Sequence, residues 1–87
     1  MDRLCPTRRA DVTLQRVGQE AILYDRRNRR AHVLNDSAAR IWELCDGHAT
    51  LEEITEAFAS AYTMPASAVY ADVVRILTTF RELQVID

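Results

Sequence analysis

His32-Val33-Leu34-Asn35-Asp36-Ser37-Ala38-Ala39-Arg40-Ile41-Trp42-Glu43-Leu44-Cys45-Asp46-Gly47, followed by Thr50-Leu51-Glu52-Glu53-Ile54, decides the fold of this chain. The stretch joins the end of a strand to two capped helices. Asn35, Asp36 and Ser37 are short polar residues suited to opening a first helix. Asp46-Gly47 closes it, and Thr50-x-x-Glu53 is a capping box that opens a second.

Upstream, Val12-Thr13-Leu14-Gln15-Arg16-Val17 alternates apolar and polar side chains, Gly18-Gln19 turns, and Ala21-Ile22-Leu23-Tyr24 is a β-prone run. Asp25-Arg26-Arg27-Asn28-Arg29 holds turn formers and no apolar residue, after which Ala31-His32-Val33-Leu34 returns as a third strand. The pattern predicts a three-stranded antiparallel meander. Downstream, Ala38, Ile41, Trp42 and Cys45, then Leu51, Ile54, Phe58 and Ala61, recur at helical spacing. A third helix opens at Pro65, with Val69, Val73, Ile76, Phe80 and Leu83 as its core stripe and Tyr70, Val74 and Leu77 as a second apolar stripe. The fold class is therefore α+β, with an N-terminal three-stranded sheet over about residues 11–35 and three helices over about 36–84, a winged helix-turn-helix-like arrangement.

Eighty-seven residues with 48% hydrophobic content predict one domain, residues 1–87, with a single modest core. The opening Met and an ending just past the apolar pair Val85-Ile86 suggest a complete standalone domain. No apolar run approaches a membrane span, and Met1 to Pro6 lack the apolar segment of a signal peptide, so a soluble, cytoplasmic protein is expected. Cys5 in a mobile N-terminal arm and Cys45 on a helix's apolar side do not make a disulfide framework.

Catalytic chemistry is poorly supplied. There is no lysine; His32 lies in a strand, where a packing role outweighs a general base, and His48 lies in a loop. Cys45-x-x-His48 has the spacing of half a zinc site without a second paired half, and Cys45 reads as a small core residue. Two glycines cannot form a phosphate loop, and Glu53 belongs to its capping box, with Glu52 and Glu56 on a solvated helix face. No enzyme, metal or cofactor is predicted.

The net charge of -2 hides an asymmetry: residues 1–35 hold eight Arg and four acids, residues 36–87 three Arg and nine acids. Nucleic-acid binding is the alternative function, because the last two helices form a helix-turn-helix. Charge argues against it: the would-be recognition helix carries Arg75 and Arg81 against Asp72 and Glu82, whereas phosphate contacts need several positive groups on the docking face. The cluster Arg26, Arg27, Arg29 and Arg30 sits on a strand turn instead.

A meander leaves its third strand at an edge, able to accept an added strand. Backbone pairing along Arg30, Ala31, His32, Val33 and Leu34, with Tyr70, Val74, Leu77 and Arg81 of the third helix as the facing wall, would make a peptide groove, and the Arg cluster would favour acidic peptides. The same edge also allows two copies to pair as a homodimer.

The string Val33-Leu34-Asn35-x-Ser37-Ala38-Ala39-x-Ile41-Trp42-Glu43-Leu44-Cys45-Asp46-Gly47, then Thr50 to Ile54, resembles the PqqD family, small proteins also called RiPP recognition elements. The resemblance covers about three quarters of the chain and extends to Asp72-Val73, Ile76-Leu77, Phe80 and Val85-Ile86. It implies a non-catalytic adaptor that takes the leader region of a ribosomally synthesised precursor peptide as a fourth antiparallel strand, between third strand and third helix. The adaptor would deliver that peptide to a modifying enzyme: a radical SAM enzyme, a leader protease of the lasso-peptide kind or a cyclodehydratase. Leu34, Asn35, Ala38, Ile41, Trp42, Asp46 and Gly47 are the motif positions and read as fold-defining. One departure stands out: Gln84 occupies a position where the family usually has Gly, and Gln supplies a left-handed helix stop less readily.

Overall fold

The computed structural model describes residues 5–87, so the first part of the expected N-terminal arm lies outside the described residues. Three strands, β1 (Val12–Val17), β2 (Glu20–Asp25) and β3 (Arg30–Asn35), precede α1 (Asp36–Leu44), α2 (Leu51–Ala61) and α3 (Ala66–Leu83). The sheet is antiparallel in the order β1-β2-β3, as the alternation predicts.

Gly18 takes φ +62 at the first central position of the β1–β2 turn, the requirement of a two-residue hairpin of the II′ kind. That turn fixes the register: Leu14 lies opposite Leu23, and Leu23 opposite His32. One sheet face, with Val12, Ala21, Leu23 and Leu34, is buried against the helices. The other carries Ile22, Tyr24, Ala31 and Val33.

There is no loop between sheet and helices. Asn35 ends β3 and caps α1, its Oδ1 accepting from the Ala38 N–H at 2.8 Å. Of the three expected capping candidates, Asn35 is therefore the cap. The capping box of α2 forms as expected, Glu53 N–H donating to Thr50 Oγ1 and Thr50 N–H to Glu53 Oε1. Pro65 is the N-cap of α3 rather than its first helical residue, a shift of one position.

On α3 the stripes differ from expectation. Val69, Val73, Leu77 and Phe80 are buried, while Ile76 and Leu83 are half-buried. A helix turns about 100° per residue, so Leu77 lies about 40° from Val73 and Ile76 about 60° the other way. The packed face is centred near Val73, which brings Leu77 into the core at 3% exposure and leaves Tyr70 45% exposed.

The segment before β1 is not a loose arm from Pro6 onward. Gly47 N–H donates to Pro6 O at 3.0 Å, Arg8 N–H to Cys45 O at 2.8 Å, and Asp87 N–H to Thr7 O at 2.8 Å. This strap ties the end of α1 to the C-terminus. Gly47, at φ +85, is held so close to it that an added Cβ would sit 3.1 Å from Thr7 Oγ1. The backbone bonds of the strap leave no trace in the sequence, and the Arg8 and Arg9 guanidiniums that add to it, on the Glu43 and Gln84 carbonyls, reach partners distant in the chain.

Gln84 supplies the stop that a glycine would supply more readily: it adopts φ 63, ψ 34, left-handed, at the end of α3, and its carbonyl accepts from the Arg9 guanidinium. A left-handed residue with a Cβ costs on the order of 1 kcal/mol more than glycine. Gln84→Gly is therefore expected to stabilise the domain by about 1 kcal/mol, raising the thermal midpoint by about 4–8 °C. Unchanged or lowered melting would show that the Gln84 side chain itself contributes as much as the strain removes.

Candidate peptide-binding site

The geometry of the β3 edge follows from the first hairpin. In a two-residue hairpin the flanking pair, here Val17 and Glu20, exchanges both of its backbone hydrogen bonds. Bonding then alternates along β2, so Ala21, Leu23 and Asp25 direct their N–H and C=O toward β3 and pair with Leu34, His32 and Arg30. The backbone groups of Ala31 and Val33 consequently point away from the sheet. Among the described residues, β3 pairs with β2 alone.

Side chains on this edge divide by face. Val33, 66% exposed, and Ala31 stand on the outer face beside their register partners Ile22 and Tyr24. Leu34 is buried and His32 half-buried on the inner face. His32 Nε2 is enclosed and has no hydrogen-bond partner among the described residues, a polar atom left unsatisfied at the edge.

Of the α3 residues expected to face β3, Val74 is half-buried and Arg81 exposed. Tyr70 lines a depression shared with Glu52, Thr55 and Glu56 of α2, and Leu77 has gone into the core. The expected β3 residues are thus contiguous, whereas Tyr70, Val74 and Leu77 do not form one exposed stripe. Half-buried Ile22 and exposed Tyr24 complete the outer apolar surface beside the edge and were legible only through register, since nothing in a four-residue apolar run says which members face outward.

Each end of β3 has its own electrostatics. At the turn, Asp25 is buried; its carboxylate accepts from the Asn28 backbone at 3.1 Å and side chain at 2.8 Å, with Arg9 Nη1 at 3.8 Å. The Asn28 bonds, above all, hold its pKa below the ordinary carboxylate value. At the other end, Asp36 accepts from Tyr62 Oη at 2.9 Å, Arg40 Nε at 3.1 Å and Arg16 Nη1 at 2.9 Å, and is likewise depressed, chiefly through Tyr62.

A carboxyl whose folded pKa is depressed stabilises the fold fully above its unfolded value of about 3.9, and that stabilisation is lost as pH falls through the folded pKa. Urea midpoints are expected to hold through neutral pH and to drop below about pH 4. Asp36→Asn should flatten that decline; an identical acid limb in the variant would remove Asp36 from the account.

Cys45 is fully buried, and burial pushes its thiol up to about 12. It is a packing residue, as its helical position suggested.

Comparison with known proteins fits this architecture. The chain is similar in structure to TbiB1, solved in complex with the TbiA(beta) leader peptide, with a TM-score of 0.79 over 93% of this chain and 94% of that one. At 20% identity that likeness is one of fold. No match was found among curated proteins. The family model described as coenzyme PQQ synthesis protein D (PqqD) matches residues 20–86. That match begins at β2, runs through the Asn35 cap and the three helices, and ends on the buried Val85-Ile86 pair, so the chain belongs to the PqqD family.

Proposed function

We propose that this protein is a non-catalytic adaptor that binds the leader region of a ribosomally synthesised precursor peptide by strand addition along β3 and presents it to a modifying enzyme. The observation that carries this reading is the edge itself: Ala31 and Val33 direct N–H and C=O groups outward, beside an exposed apolar face. Backbone pairing would supply affinity, and alternate side chains of the guest would supply selectivity. Membership of the PqqD family and the leader peptide held by TbiB1 support the same reading. A radical SAM enzyme or a leader protease is the class of partner that would receive the peptide. The α3 wall of the groove is proposed at Val74 and Arg81, with Tyr70 at its margin and Leu77 beneath.

Two free cysteines fit a reducing compartment, and we place the adaptor in the cytoplasm; no described helix is long and apolar enough to cross a membrane. Self-pairing along β3 would make a homodimer that competes with the peptide.

The test is calorimetric titration with the leader segment of the precursor peptide encoded nearest to this chain. A dissociation constant of about micromolar, roughly -8 kcal/mol, is expected. Silence toward the leader, with salt-steep binding to duplex DNA, would move the function to the winged-helix alternative.

A further inference from the structure

Resting on that reading, we infer that the strand accepted by β3 carries its acidic side chains at its C-terminal end, held there by Arg26, Arg29 and Arg30. Direction comes first. An added strand that continues the antiparallel sheet runs opposite to β3, so its N-terminal part lies beside Asn35 and its C-terminal part beside Arg30 and the turn before it.

The two ends differ in charge. Next to Arg30 is a depression of about 360 Å³ lined by Tyr24, Asp25, Arg26, Arg29, Arg30 and Ala31. Its three arginines are exposed and, among the described residues, take part in no salt bridge. The carboxylate in the lining, Asp25, is buried and occupied by Asn28. The fourth arginine of the turn, Arg27, reaches back to Asp11 at 3.2 Å and is excluded from the set. Arg29 is set at φ 54, where the chain turns back into β3.

At the Asn35 end the depression is lined by Gly18, Gln19, Glu20, Asn35, Asp36, Ser37 and Tyr62, with no basic residue in the lining; Asp36 is neutralised by Arg16 and Arg40, while Glu20 takes part in no salt bridge among the described residues. The field along the edge therefore runs from positive at Arg30 to negative at Glu20. Guanidiniums pair with carboxylates through directed donors as well as by charge, so an acidic C-terminal end is favoured by contact and by field. A guest entering with its acids at the N-terminal end would face Glu20 and find no free guanidinium in the lining, since the nearby Arg16 and Arg40 are engaged by Asp36 and Glu43, and this mismatch fixes polarity as well as affinity.

The probe is a display library of random 16-residue peptides selected in parallel against the intact protein, against Arg26→Glu/Arg29→Glu/Arg30→Glu and against Val33→Pro. Wild-type winners should carry Asp and Glu toward their C-terminal end and be lost on Val33→Pro. The triple variant should weaken a wild-type winner by about tenfold or more at low ionic strength, with the gap closing at about 0.5 M salt, and should select Lys or Arg at the same end. A nitroxide on the winner's C-terminus should broaden the amide signals of Arg29 and Arg30 rather than that of Asn35. Winners that depend on Val33 but carry their acids at the N-terminal end, or scattered, would overturn the charge polarity and leave strand capture standing. If no Val33-dependent peptide emerges, and alternate N-methylation of a winner's backbone leaves its affinity unchanged, strand capture fails and the polarity with it.

Discussion

Replacing Val33 by proline is expected to weaken leader-peptide binding by about 30- to 1,000-fold while the domain stays folded. Proline removes the Val33 N–H, which by the register of β2 and β3 points away from the sheet and so takes no part in holding β3 to β2. The bond forgone in the complex is worth about 1 kcal/mol, and the peptide carbonyl left facing the ring without a donor costs about 1–3 kcal/mol more. Together these make about 2–4 kcal/mol, or about 30- to 1,000-fold in affinity. The fold loses little, because the Val33 side chain is 66% exposed and His32, the residue before the new proline, is already extended as proline requires. Circular dichroism should show a preserved spectrum and calorimetry a lost or strongly weakened isotherm. A variant that melts like the parent and still binds the leader with parental affinity would take the β3 edge out of the function. A leader N-methylated at alternate amides asks the same question with the protein untouched.

How much of this was legible in the sequence follows from which kinds of interaction leave a local trace. The meander, the Thr50–Glu53 box and the three helices rest on periodicity and on short polar residues at fixed offsets, so they could be read directly. The edge of β3 came with the meander, since three strands in sequential order must leave the third unpaired on one side. What could not be read was set by contacts distant in sequence. The exchange of Leu77 for Ile76 in the core of α3 is decided by where α2 and α1 lie, about 40° against 60° from Val73, a difference that apolar spacing alone does not resolve. Tyr70 looks toward Glu52 and Thr55 for the same reason. The strap from Pro6 to Arg9 is made by backbone groups together with the Arg8 and Arg9 guanidiniums on carbonyls far along the chain, and Gln84 adopts the left-handed stop despite its side chain because Val85 and Ile86 must be turned inward; both are buried, at 0% and 4% exposure.

Trp42→Ala should be the most damaging single truncation. Trp42 sits in α1, is 5% exposed, and donates its indole N–H to the Val85 carbonyl at 3.2 Å. The Arg8 guanidinium lies over its ring at 5.6 Å. One side chain thus joins the helix that follows β3, the C-terminal apolar pair and the N-terminal strap. Removing a buried aromatic leaves a cavity costing about 3–5 kcal/mol, and here it also takes from the Val85 carbonyl the shorter of its two hydrogen bonds. A domain of this size has only about 5–15 kcal/mol of stability in all, so a large share of it is lost and the thermal midpoint should fall by more than about 12 °C. Trp42→Phe separates the two losses: it refills most of the cavity but leaves Val85 O with the 3.4 Å bond from the Arg9 N–H alone, and should cost roughly half as much. Because Asn35 both ends β3 and caps α1, loosening α1 also frees the Asn35 end of the peptide edge, and leader binding should weaken in step with stability. Denaturant melts of the two variants check the ordering. Parental stability in Trp42→Ala would mean that the strap and the C-terminus are held without the indole, and that the Asn35-Trp42-Val85 chain of contacts does not support the edge.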